Sequence, residues 1–104
     1  TLASLCGTPW FPQLQDHLLF IEEVGESPYR VHRALMQILS TPQARGVAGI
    51  VAGYLTRCEH SKQLGPEVHQ VLRAISERFK IPVWSGLKAG HEALNLPVTL
   101  GQVL

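Results

Sequence analysis

Three carboxylates crowd one short stretch of this sequence: Glu22, Glu23 and Glu26 follow the apolar run Leu18-Leu19-Phe20-Ile21 and precede Ser27-Pro28, a helix-start signal. Negative charge beside a helix N-terminus is favoured by roughly 0.3–1 kcal/mol, which accounts for Glu26 and extends to Glu23. It does not account for Glu22. That residue directly follows Phe20-Ile21, where its position makes it partly buried and an unpaired carboxylate is costly. Glu22 therefore needs a partner. His91, in the glycine-flanked loop Ala89-Gly90-His91, is the candidate, because loops at strand ends are where catalytic groups concentrate. A carboxylate that accepts from one imidazole nitrogen fixes the other as an acceptor, the geometry a general base needs to take a proton from a serine hydroxyl.

The chain has five histidines and eight carboxylates, so accidental pairs are many and most of these residues are read as structural. His32 and Arg33 fall inside one helical segment and His69 inside another, where a solvated face explains them. Cys58-Glu59-His60 carries metal-ligand residue types, but no second pair stands at finger-like spacing. A plain loop after a strand is the reading, with no metal and no cofactor. The two cysteines, Cys6 and Cys58, do not make a disulfide framework and suit a reducing compartment, with a single bridge between them left open.

The elements that must position Glu22 and His91 belong to one domain. At 104 residues and 45% hydrophobic, the chain fills one compact core and is too short for two. A net charge of +1, no run of five basic residues and 7% aromatic content argue against a nucleic-acid groove. The longest apolar stretch, residues 46–55, is half a membrane span and holds three glycines. No signal-peptide pattern opens the chain. It starts on Thr1 without a methionine and is expected to be part of something longer.

Along the chain, residues 1–5 read as the end of a helix, and Gly7-Thr8-Pro9 with Pro12 breaks regular structure. Residues 17–22 predict a buried strand ending near Glu22. Ser27 as N-cap and Pro28 open a helix to about Leu39, with Val31, Leu35, Ile38 and Leu39 as its apolar stripe and Thr41-Pro42 as its stop. Residues 46–55 predict a second strand whose glycines imply close backbone approach or a bulge. Pro66 opens a second helix carrying Val68, Val71, Leu72, Ile75 and Phe79. Residues 81–85 predict a third strand, residues 86–95 a loop, and residues 96–104 one or two closing strand pieces. This order is the α/β pattern with crossover helices.

Several separated motifs resemble the C-terminal domain of the serine LD-carboxypeptidase family, the murein tetrapeptide carboxypeptidases and the microcin-immunity peptidases. Gly7-Thr8-Pro9-Trp10 resembles the family's Gly-Thr-Pro-aromatic turn, and residues 19–26, Leu-Phe-Ile-Glu-Glu-Val-Gly-Glu, resemble its Leu-Phe-Leu-Glu-Asp-Val-Gly-Glu signature. Pro28-Tyr29-Arg30-Val31 with Arg33 continues the match. Further on come Ile81-Pro82-Val83, Gly86-Leu87, Gly90-His91, Leu96-Pro97-Val98 and Leu100-Gly101, in family order. Lys88 and Ala89 depart from the family's Pro-aromatic in this loop.

The resemblance implies a swivelling β/β/α-type domain with a mixed sheet and crossover helices. It implies a Ser-His-Glu triad that hydrolyses the amide between an L-centre diamino acid and a terminal D-alanine of cytoplasmic murein tetrapeptides recycled from peptidoglycan. His91 is then the general base and Glu22 its orienting carboxylate, while Glu23 stands where the family often has Asp. Only one of two consecutive strand residues can face a cleft. The family's serine lies in an N-terminal domain, in a Gly-x-Ser-Asp-like turn, and no serine here has that context. The chain is thus expected to be the C-terminal half of a two-domain enzyme, inactive without the N-terminal domain. A homodimer is implied as well, and neither nucleic acid nor membrane is a partner. The alternatives are a microcin-immunity-type peptidase acting on a peptidyl-nucleotide amide, and a non-catalytic interaction domain in which Glu22 and His91 are only a structural pair.

Overall fold

The computed structural model describes residues 1–58 and 67–103. A strand β1 (Leu18–Val24) leads to a helix α1 (Pro28–Leu39), a strand β2 (Gly49–Thr56), a helix α2 (Val68–Phe79) and a two-residue strand β3 (Val83–Trp84). Short 3-10 turns stand at Leu2–Leu5 and Pro42–Ala44. The three strands form one sheet in the order β1-β2-β3, parallel in both pairings.

Each helix forms where its apolar stripe predicts. In α1, Val31, Leu35, Ile38 and Leu39 are all buried, and Pro28 occupies the first turn with its preset φ. Ser27 is the N-cap, but its hydroxyl makes no capping bond. Its carbonyl instead accepts from the N–H groups of Arg30 (2.9 Å) and Val31 (3.2 Å). In α2, Val71, Leu72 and Ile75 are buried. Pro66, the expected opener, lies outside the described residues. The cap that is described is reciprocal: Glu67 accepts from the Gln70 backbone, and the Glu67 N–H donates to Gln70 Oε1 at 2.8 Å.

The two helices pack against each other. Strands in sequential order, joined by crossovers of one hand, put both helices on the same face of the sheet. Leu19, Ile50 and Ala52 meet Val31, Leu35, Ile38, Val71, Leu72 and Ile75 there, with Ile50 and Ile75 fully buried. Side chains alternate along a strand, so Phe20 and Glu22 turn to the opposite face.

Two expectations fail at the C-terminal end. No closing strand forms over residues 96–103, and the sheet among the described residues is parallel rather than mixed. A strand needs a free edge to pair with, and the N–H of Leu96 is already taken by the carbonyl of Lys88 at 2.7 Å. Beyond it Pro97 has no N–H to donate. Leu100 and Val103 then find no cover and stay exposed. The third strand is also shorter than residues 81–85, because only Val83 and Trp84 pair with Ile50 and Val51.

Candidate active site

Glu22 sits at a break in the sheet. The β1–β2 register runs from Leu18↔Gly49 to Ile21↔Ala52 and resumes at Glu23↔Leu55, so Glu22 alone faces two β2 residues, Gly53 and Tyr54. The extra residue bends β2 and re-aims the groups around it, as bulges next to functional sites do. The glycines of residues 46–55 were expected to mark close approach or a bulge, and Gly53 marks both.

The loop after β3 returns to this break. The Tyr54 N–H donates to the Ala89 carbonyl at 2.8 Å, and Ala89 is buried. Gly90 follows with φ +131, in a region L side chains rarely adopt; a Cβ there would stand 3.0 Å from Glu22 Oε2 and 3.3 Å from Tyr54 Cβ. The loop can therefore lie on the carboxylate only because this residue is glycine.

His91 then places Nδ1 2.9 Å from Glu22 Oε2. An ionised carboxylate only accepts, so Nδ1 carries a proton, and in the neutral form of the ring Nε2 is then the acceptor. The imidazole is 68% exposed and the Glu22 side chain 27%, which leaves the ring open to a group arriving from outside while the carboxylate beside it is half-buried. Glu23, one residue on, does something else: its Oε1 accepts from the Val24 N–H at 3.1 Å, and the residue is exposed. The geometry thus separates the two acids as strand alternation requires. Among the described residues no serine is hydrogen-bonded to His91.

Sequence reasoning did not find the groups that hold this loop. Glu92 Oε1 accepts from the Thr56 hydroxyl at 2.8 Å, and Asn95 Oδ1 accepts from the Gly90 N–H at 2.9 Å. Asn95 is five residues from Gly90, a local signal of a kind loops often carry. Thr56 and Glu92 are 36 residues apart and carry no local signal at all.

The remaining residues singled out from the sequence are not brought to this pair. Arg33 lies over the Tyr29 ring at 6.0 Å, His32 is half-buried on α1 and His69 is exposed on α2. Glu26 pairs with Arg30 at 3.7 Å on the surface, just ahead of α1. Glu59 and His60 lie outside the described residues, and no group of three potential metal ligands occurs among those described. Cys6 and Cys58 are free thiols. Burial pushes the Cys58 thiol up, and its Sγ lies 3.6 Å from the carbonyls of Glu23 and Thr56. An open groove of about 560 Å³ runs between β1 and α1; it borders Glu22 but not His91, so groove and pair are separate features.

Over residues 1–104 the chain matches the family described as LD-carboxypeptidase C-terminal domain. It is 32% identical over 103 residues to the probable murein peptide carboxypeptidase of Bacillus subtilis, covering 96% of this chain and 32% of that protein. It is 31% identical over 78 residues to the murein tetrapeptide carboxypeptidase of Pseudomonas aeruginosa, covering 75% of this chain and 25% of the relative. The crystal structure of a muramoyltetrapeptide carboxypeptidase from Oxalobacter formigenes is similar with a TM-score of 0.80 at 32% identity, covering 91% of this chain and 34% of that one. The chain spans a quarter to a third of the length of these relatives.

Proposed function

The chain belongs to the LD-carboxypeptidase C-terminal domain family, and on that premise we propose that it supplies the base and orienting acid of a serine carboxypeptidase acting on murein tetrapeptides. One observation carries the reading: His91 Nδ1 lies 2.9 Å from Glu22 Oε2 on a loop whose imidazole is open to a reactant. Relatives named as murein peptide carboxypeptidases support the substrate class.

In the proposed reaction a serine on a second domain lies within reach of His91 Nε2. The imidazole takes the hydroxyl proton as the oxygen attacks the carbonyl between the diamino acid and D-alanine. Glu22 holds the ring in its Nδ1–H tautomer and stabilises the imidazolium that forms. The imidazolium then gives its proton to the departing D-alanine amine, and water cleaves the acyl-enzyme by the same base. The protein would work in the cytoplasm on recycled wall peptides, where its two free thiols are at home. No helix among the described residues is long and apolar enough to cross a membrane.

Mass spectrometry of the full-length protein with a murein tetrapeptide ending in D-alanine tests this. Loss of a single alanine is expected. No loss from a folded protein would overturn the substrate and direct attention to a peptidyl-nucleotide amide or to a purely structural pair.

A further inference from the structure

We propose that the Thr56–Glu92 hydrogen bond is a positioning device for His91, tying the residue after the imidazole to the end of β2 so that Nδ1 stays on Glu22. The inference rests on His91 being the general base.

His91 is exposed, and its bond to Glu22 is the one side-chain hydrogen bond it makes among the described residues. A single bond at a surface does little to offset the entropy of ordering two side chains. The ordering must come from several restraints acting together on this short loop. On one side of His91 the loop is fixed to β2 through the Ala89 carbonyl and the Tyr54 N–H. The Asn95 bond to Gly90 and the Glu92 N–H to the Gly90 carbonyl (3.0 Å) close the loop on itself, but neither reaches the sheet. On the other side, among the described residues, the attachment to the sheet is Thr56 Oγ1 to Glu92 Oε1. Tyr54 anchors through its backbone N–H and Thr56, two residues on, through its hydroxyl, so the two anchors bracket Gly90-His91 in the loop. With one anchor the loop can pivot about Ala89; with two it cannot.

A displacement of about 1 Å in a reacting group is worth up to about a hundredfold in rate. In the full-length enzyme, Thr56→Val is expected to lower kcat by about ten- to a hundredfold and leave KM within about twofold. Thr56→Ser should restore the wild-type rate. Glu92→Ala should match Thr56→Val, and the double variant should be no worse than either, because both remove the same bond. Glu92 is exposed, so its variant tests the idea even where Thr56→Val fails to fold. The spectroscopic readout is the ¹⁵N resonance pattern of His91, expected to show the Nδ1–H tautomer in wild type and a tautomer mixture in Thr56→Val. Unchanged kcat with an unchanged tautomer in either single variant overturns the proposal, as do additive effects in the double variant. Should the wild-type enzyme release no alanine, the function proposed above fails on its own, and the tautomer spectra still decide the tether.

Discussion

The carbonyl oxygen of Ala89 occupies the space that a Cβ on Gly53 would need, and the same oxygen accepts from the Tyr54 N–H at 2.8 Å. The Phe20 ring crowds the position as well, at 3.0 and 3.1 Å. Because the nearest neighbour is backbone, it cannot swing away as a long side chain would. Gly53→Ala is therefore expected to push the His91 loop off the sheet and cost about 1–3 kcal/mol, the range of other overpacked sites. Denaturant unfolding with NMR of the His91 ring measures both effects. Wild-type stability together with an unshifted ring would mean that the loop does not lean on Gly53.

At Gly90 the obstacle is the backbone angle more than the space. Its φ of +131 is expensive for any L side chain, of the order of 1–3 kcal/mol. The Glu22 carboxylate 3.0 Å from the would-be Cβ adds to that strain. Local opening of the loop relieves only part of that strain, so Gly90→Ala should lower the melting temperature by about 4–8 °C for each kcal/mol that remains. Turnover of the full-length enzyme should fall at least about tenfold, because His91 leaves Glu22. Equal activity in the alanine variant would show that the glycine is a passive turn residue.

How much of this was legible in the sequence depends on the range of each interaction. The stripe Val31, Leu35, Ile38, Leu39 and that of Val71, Leu72 and Ile75 encode their own helices, since period and burial are local properties. The need of a half-buried Glu22 for a partner was also local, and the glycine before His91 pointed to the loop that supplies it. That only one of Glu22 and Glu23 can face a cleft followed from strand alternation, while the choice of Glu22 rested on the resemblance; in the fold the two carboxylates take different hydrogen-bond partners. The capping role of Glu67 and Gln70 was overshadowed by Pro66, although the two polar residues stand three apart as a capping box requires. The closing strand failed because alternation in residues 96–103 says what a strand would look like, not whether an edge is free to receive it. Thr56 with Glu92 was illegible for the opposite reason, being visible only once β2 and the loop are folded together.

Cys58 allows a test of the β2 end that is independent of activity. The side chain is fully buried, and that burial is the main cause of its raised thiol pKa, with the nearby Glu23 charge acting in the same direction. The folded chain thus holds this proton to higher pH than the unfolded chain, where the thiol titrates near about 8.5. Above that pH unfolding releases a proton, so stability falls as pH rises. Denaturation at pH 7 and pH 9.5 should show a loss for wild type that is smaller in Cys58→Ala. In native protein a thiol reagent should label the half-buried Cys6 well before Cys58. Equal labelling rates, or an identical pH loss in the alanine variant, would contradict a sealed β2 end.

The proposed roles of Glu22, Glu23 and His91 separate in a set of full-length variants. His91 is 68% exposed and away from the core, so His91→Ala should change stability by no more than about 0.5 kcal/mol while removing turnover. Glu22→Gln keeps the shape but exchanges an obligate acceptor for an amide that can also donate. The imidazole then loses its fixed Nδ1–H tautomer, and kcat should fall by about 10²- to 10⁴-fold with KM little changed. Glu22→Ala should cost more stability than His91→Ala, because Glu22 lies within β1 and opposite the bulge. Glu23→Gln is the control: its carboxylate serves only the neighbouring Val24 N–H among the described residues, and the amide oxygen can still accept, so turnover should stay near wild type. If Glu23→Gln damages turnover as much as Glu22→Gln, the orienting acid has been misassigned. If His91→Ala turns over normally, the base lies elsewhere and the Glu22–His91 pair is structural.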